Sequence, residues 1–335
     1  MDRIDELIDA WDSKLRRAFI AAVHALRDRA QVSLVVERLE KGDVAGALAA
    51  VDLDPIAFRS FESTIAQAFE DGGRATIDRV PALKQPDGFR LSIEFDVRNL
   101  RAEGWLRDHS GKAVTEILAD QRDMVRSALV AGMEAGRNPR SVALDLVGRI
   151  NAATGRREGG LIGLTSSQEV WVRGFAQELA DVPSAAALDR KLRDKRFDSA
   201  IRKAIAEQKP LPAELREKML VAYRNRALRL RAETIARTEA MVALHESQSV
   251  AMQAAIQSGA IDEDQVAFVW RTARDARVRD THRTMNGQRA VLGQPFISGS
   301  GARIRYPGDP AAPAAEVINC RCWREPKIDY LRGIR

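Results

Sequence analysis

Between Pro212 and Gly259 the chain runs without a single proline or glycine. Those residues are the strongest breakers of a helix, so the stretch predicts one long helix over 213–257, ended by Gly259. Within it Leu228, Ile235, Val242 and Ser249 fall at seven-residue steps, with Arg, Glu and Gln on other faces. A fold that holds such a rod is built from helices first, and the composition agrees. Ala, Leu, Arg and Glu dominate and aromatics make up only 5%, which disfavours a sandwich or barrel.

The helical period recurs elsewhere. Ile4, Leu7, Ile8, Trp11, Leu15, Phe19, Val23 and Leu26 mark an amphipathic first helix. Further helices are expected over 32–39, over 55–69 with an end at Gly72-Gly73, over 99–135 and 141–153 about a turn at 136–139, and over 184–207. Thr165-Ser-Ser-Gln168 reads as a capping box, predicting a helix from Ser166 to about Leu179, and the GRREGGLIGLTSSQ tract leading into it reads as a glycine-rich linker.

After the breaker cluster PALKQPDG the period changes. Phe89, Leu91, Ile93 and Phe95 alternate with polar residues, as in a half-buried strand. The last 75 or so residues carry a β-prone run at Val266–Trp270 and turns at Gly287, 293–295, 299–301 and 307–310, between short strands around Val291, Ile304 and Val317. At 335 residues the chain exceeds one usual core. The expected fold class is α+β, predominantly helical, with three parts: a helical interaction segment at 1–80, a helical central region with an entry strand at 89–257, and a small loop-rich α+β domain at 258–335.

Charge is uneven. From Arg190 to Arg237 there are fifteen Lys/Arg against six Asp/Glu, a net of +9 in a chain whose total is +6. The stretch is either a solvated helical face or a surface for phosphates or an acidic partner, and Arg190, Lys191, Arg193, Lys195 and Arg196 are the candidate contacts. Two cysteines cannot make a disulfide framework, the N-terminus lacks a signal-peptide pattern, and no apolar run is long enough to span a bilayer. The expected site of synthesis is a reducing cytoplasm, and no membrane role is expected.

Both cysteines stand in EVINCRCW, residues 316–323. Of the four histidines, His282 lies in the same loop-rich part, so folding could gather Asp275, Asp280, His282, Cys320 and Cys322. One imidazole, two thiolates and a carboxylate suit tetrahedral Zn²⁺, although Cys-x-Cys with one distant His is not the usual paired spacing. A Cys/His nucleophile pair is chemically available but lacks a nameable oxyanion hole. A disulfide across one residue is strained. The bland alternative is a set of small buried groups pinning two loops. Arg277, Arg279, Asp275 and Asp280 in RDARVRDTH either pair with one another and cap a short helix starting near Asp275, or grip a partner.

The tract WRTARDARVRDTHRTMNGQ, followed by PF, YPGDP and EVINCRC, resembles the C-terminal domain of the Mu F-like phage head morphogenesis family. The hallmarks fall on Asp275, Val278, Arg279, Asp280 and His282, then Gly308-Asp309-Pro310, then Asn319, Cys320 and Cys322. Upstream, RAETIARTEAMVALHESQ and GLIGLTSSQ are similar to further family segments. The resemblance runs from about Phe89 to Trp323 and leaves residues 1–88 outside it. It implies a minor head protein of the virion, taken up during prohead assembly at the portal vertex after synthesis in the host cytoplasm. The implied partners are the portal protein, the major capsid or scaffold protein, and double-stranded DNA, which the chain would contact in the packaged state or accompany on ejection. In this reading the motif residues hold the C-terminal fold, with Arg279 and Arg321 facing a partner. No catalytic residue and no cofactor are expected. The alternative is a metal- or Cys/His-dependent hydrolase using His282, Cys320 and Cys322, with zinc as the metal.

Overall fold

A computed structural model describes the chain except for residues 1–3, 81–82, 85–89, 92–93, 97, 99, 331 and 333–335. Of the strand expected over 89–95, residues 89, 92 and 93 lie outside the described residues, and Arg90–Leu91 form a short strand. The fold is α+β and mostly helical, as expected, with a few small antiparallel sheets. In chain order the helices are α1 (Ile4–Arg29), α2 (Val32–Glu40), α3 (Val44–Ala50), α4 (Arg59–Ile77), α5 (Leu100–Glu134), α6 (Pro139–Val147), α7 (Ser166–Glu178), α8 (Asp198–Glu207), α9 (Ala213–Gln257), α10 (Asp280–Arg283) and α11 (Ala314–Val317). The strands are β1 (Leu83–Lys84), β2 (Arg90–Leu91), β3 (Arg149–Ile150), β4 (Arg157–Glu158), β5 (Val266–Arg271), β6 (Arg289–Val291), β7 (Phe296–Ile297), β8 (Arg303–Ile304) and β9 (Trp323–Ile328).

The chain divides into two compact units, and neither is a single stretch of sequence. One comprises Met1–Ala18, Phe61–Gly111 and Glu233–Arg335, the other Phe19–Ser60 and Lys112–Ala232.

In the second unit α2 packs on α3 and α6, and the apparent glycine-rich linker is the best-buried irregular segment. Residues 159–164 are all buried. Their carbonyls are met by side chains from three helices. Arg27 donates to Gly160 O at 2.8 Å and Ile162 O at 2.6 Å, Gln121 Nε2 to Leu164 O at 2.7 Å, and Arg231 to Gly163 O at 3.2 Å. Gly163 has φ +100, and a Cβ there would sit 2.5 Å from Val23 and 2.8 Å from Leu228. Only glycine fits that close approach. The capping box forms as expected: Thr165 accepts from Gln168 N and Gln168 accepts from Thr165 N, starting α7 at Ser166.

Two helix expectations in this unit are corrected. The helix expected over 141–153 ends at Val147, because Gly148 (φ +86) turns the chain into the β3–β4 hairpin. The stretch 184–197 forms two short 3₁₀ turns instead of continuing into α8. There Asp194 accepts from Arg196 N and Arg226 donates to Arg193 O, so side chains take up backbone groups that a helix would have used.

In the first unit, residues 240–245 of α9 are buried on every face, so this part of the long helix is a core element rather than an amphipathic one. Helix α4 does not stop at Gly72-Gly73 but runs to Ile77. A Cβ on Gly72 would collide with Ser247 and Leu244 of α9, and one on Gly73 with the Phe95 ring, so these glycines permit close packing rather than a turn. The principal sheet has order β6-β5-β9, with β5 central and antiparallel to both neighbours. Its register sets Trp270 opposite Arg324 and Arg271 opposite Trp323. β7 and β8 form a separate hairpin. Strands exist around Val291 and Ile304 as expected, but Val317 lies in helix α11, entered from Pro313.

Candidate functional site

β5 delivers the chain into residues 272–279, and α10 then carries His282 inward while the segment after α11 returns with Cys320 and Cys322. The short helix starts at Asp280 with Arg279 at its N-cap position. The helix expected near Asp275 is therefore placed five residues too early, because Asp275 instead accepts from Arg277 N in a local turn. Asn319 adopts φ +56, a left-handed conformation that asparagine tolerates well, and it reverses the chain so that both cysteines face the interior.

His282, Cys320 and Cys322 are each at most 2% exposed. His282 Nδ1 lies 3.5 Å from Cys320 Sγ and 3.5 Å from Cys322 Sγ. Nε2 lies 2.8 Å from Glu316 Oε2, close in distance but without the alignment of a hydrogen bond. Glu316 in turn accepts from Thr281 Oγ1 at 3.0 Å and Ser300 Oγ at 2.6 Å. Burial pushes its carboxyl up, yet these hydroxyls and the facing imidazole prevail and hold it below the usual range. The Trp270 indole stands edge-on to His282 at 5.4 Å between ring centres. Its Nε1 is buried without a hydrogen-bond partner. Each cysteine controls the other's proton. A hydrogen bond from Cys322, helped by His282, holds the Cys320 thiol well below its ordinary value, and the same bond pushes Cys322 up.

The two carboxylates of the expected cluster stay outside. Asp275 pairs with Arg321, and Asp280 is exposed and pairs with Arg283 at 2.9 Å. Arg279 donates to Ile318 O, so Arg279 and Arg321 both brace the loops beside the cysteines. The carboxylate that does join is Glu316, which stands at the head of the EVINCRCW tract but carries no spacing signal tying it to a histidine 34 residues earlier.

A second buried group went unread in the sequence. Arg324, on β9, lies over Phe268 at 4.0 Å and donates to Ser249 Oγ at 2.6 Å, Gln248 Oε1 at 3.3 Å and Arg305 O at 3.3 Å, as well as to His245 O. Among the described residues no carboxylate lies within ion-pair distance of it, and burial lowers its pKa to about 10. His245 accepts from Arg324 N at 3.3 Å; burial first, then the Arg324 charge, lower its pKa to about 3. The YPGDP turn closes over this group: Asp309 accepts from Arg305 N, Ala311 N and the Arg305 guanidinium, while Gly308 (φ +91) comes against Met241.

The basic candidates lie in the other unit and are largely spent locally. Arg190 forks onto Glu178, Arg193 onto Asp198 and Arg196 onto Asp194. Lys191 and Lys195 are exposed.

Comparison with known proteins gives one match. The family model described as Phage Mu protein F like protein matches residues 184–324, a span that holds His282, Glu316, Cys320, Cys322 and Arg324 and makes this part of the chain Mu F-like. No curated protein and no solved structure matches the chain.

Proposed function

From the Mu F-like character of residues 184–324, we infer that this protein is a phage head morphogenesis protein, and we propose that it is a minor head component installed at the portal vertex during prohead assembly. Its partners in this reading are the portal protein and the major capsid or scaffold protein, and its location is the virion head. The observation that carries it is the extent of the match, which takes in the whole of α9 and the His/Cys region. No helix among the described residues is long and apolar enough to cross a membrane.

The site chemistry supports a structural role over a hydrolytic one. A substrate needs access, yet the three candidate residues are buried. Two surface cavities of this unit, of about 470 and 410 Å³, share Thr272, Arg274 and Asn286 in their linings, and neither is lined by His282, Cys320 or Cys322.

Quantitative mass spectrometry of purified heads and mature virions tests the reading. A small, fixed number of copies relative to the portal protein in heads is the expected result. Absence from heads, with the protein free in the lysate, would overturn it.

A further inference from the structure

The His282, Cys320 and Cys322 side chains are arranged as ligands rather than as packing. Their donor atoms all lie within 4.8 Å of one another, and both sulfurs address the same nitrogen at 3.5 Å. A single N–H donates along one line and serves one acceptor well, whereas lone pairs converging on a shared cation serve all three. The distances agree with that. With zinc–sulfur bonds of about 2.3 Å and zinc–nitrogen bonds of about 2.0 Å, the sulfur-to-nitrogen edge of a tetrahedron comes to about 3.5 Å.

Two further observations point the same way. Glu316 Oε2 sits 2.8 Å from the far ring nitrogen, Nε2, off the line of a hydrogen bond but at the position from which an outer carboxylate orients a metal-bound imidazole and leaves Nδ1 free to ligate. The Thr281 and Ser300 hydroxyls hold that carboxylate in turn. Trp270, whose ring stands edge-on to His282, has a fully buried Nε1 without a hydrogen-bond partner, a donor that a metal thiolate would take up.

We propose that His282 Nδ1, Cys320 Sγ and Cys322 Sγ bind one zinc ion, with Glu316 as the outer carboxylate that orients the imidazole. Two thiolates and an imidazole select a borderline-soft cation, and the two thiolate charges neutralise the dication. Binding takes both cysteines as thiolates and releases to solvent any thiol proton still present. Among the described residues no fourth His, Cys, Asp or Glu joins the group, so the fourth vertex is taken by water or another small ligand. The ion ties α10 to the segment after α11 across a loop of about 40 residues, a closure whose entropy cost the metal bonds offset.

The full-length protein, purified without chelator and dialysed, is assayed for zinc by elemental mass spectrometry and then titrated with Co²⁺ after zinc removal. Expected are one zinc per chain and a cobalt spectrum with thiolate-to-metal charge transfer and the visible bands of a tetrahedral ion. Glu316→Gln, nearly isosteric, keeps the fold by circular dichroism and weakens zinc 10- to 100-fold, Cys322→Ser lowers the charge-transfer band by half or more, and the exposed Asp280→Asn changes neither. A wild-type chain that retains no zinc and gives no thiolate–cobalt band overturns the proposal without recourse to any variant. So does a Glu316→Gln protein that binds zinc as tightly as wild type.

Discussion

His245 shows what burial does to a single residue. Its neutral imidazole is fully enclosed, with Nδ1 against Met241 O, Nε2 accepting from Arg324 N, and the Arg324 and Arg237 charges facing it, which brings its pKa from the ordinary 6.5 to about 3. In the unfolded chain it protonates near its ordinary value, so the folded state keeps the full contribution above that pH and loses it as pH falls from about 6.5 toward 3. Urea denaturation between pH 7 and pH 4.5 is expected to show stability falling by up to about 1.4 kcal/mol per pH unit from this group; His245→Gln flattens that slope, and an unchanged slope would mean the imidazole titrates freely. The sequence named His282, Cys320, Cys322 and Asn319 by residue type and motif. It did not reveal Glu316, Trp270 or Arg324, because a buried carboxylate, an indole and a guanidinium acquire their meaning only from what lies across the fold.

At the scale of elements, patterns that depend on one segment alone were legible. The α1 stripe is buried as spaced at Ile4, Ile8, Trp11, Leu15, Phe19, Val23 and Leu26, with Leu7 half-buried, the Thr165–Gln168 box caps α7, and α9 spans the breaker-free stretch. Glycine was the recurrent misreading. Gly72 and Gly73 suggested a helix end and the 159–163 tract a linker, yet each glycine admits a neighbour that any side chain would exclude. Gly163→Ala is therefore expected to destabilise by about 2–3 kcal/mol, combining the φ +100 strain with the Val23 clash. Thermal denaturation reads this as a clear drop in Tm, and a Tm equal to wild type would place Gly163 in open space. The 3₁₀ turns at 185–188 and 195–197 follow the same logic in polar form, since Asp194 and Arg226 bind backbone that local propensity assigned to a helix.

For the molecule as a whole, the +9 stretch from Arg190 to Arg237 looked able to hold phosphates, but much of its charge is answered by carboxylates close by. Besides the pairs at Arg190, Arg193 and Arg196, Arg224 meets Asp145 and Arg231 meets Asp120. Five engaged phosphates would give a salt slope of about −4.5, and with only Lys191 and Lys195 among the five candidates exposed and not in these pairs the expected slope for duplex DNA is no steeper than about −2. Fluorescence anisotropy across a salt series measures it, and a slope near −4.5 would show that the arginines leave their carboxylates for DNA. The sequence by itself determined the helical character, the long α9, the capped start of α7 and the family motif, because periodicity, capping and residue identity are local properties of the chain. Only the tertiary structure decided that Met1–Ala18, Phe61–Gly111 and Glu233–Arg335 make one unit, and that His282 meets Glu316 and both cysteines. Those are pairings between residues far apart in sequence, selected by which faces bury together, and no single segment encodes its partner.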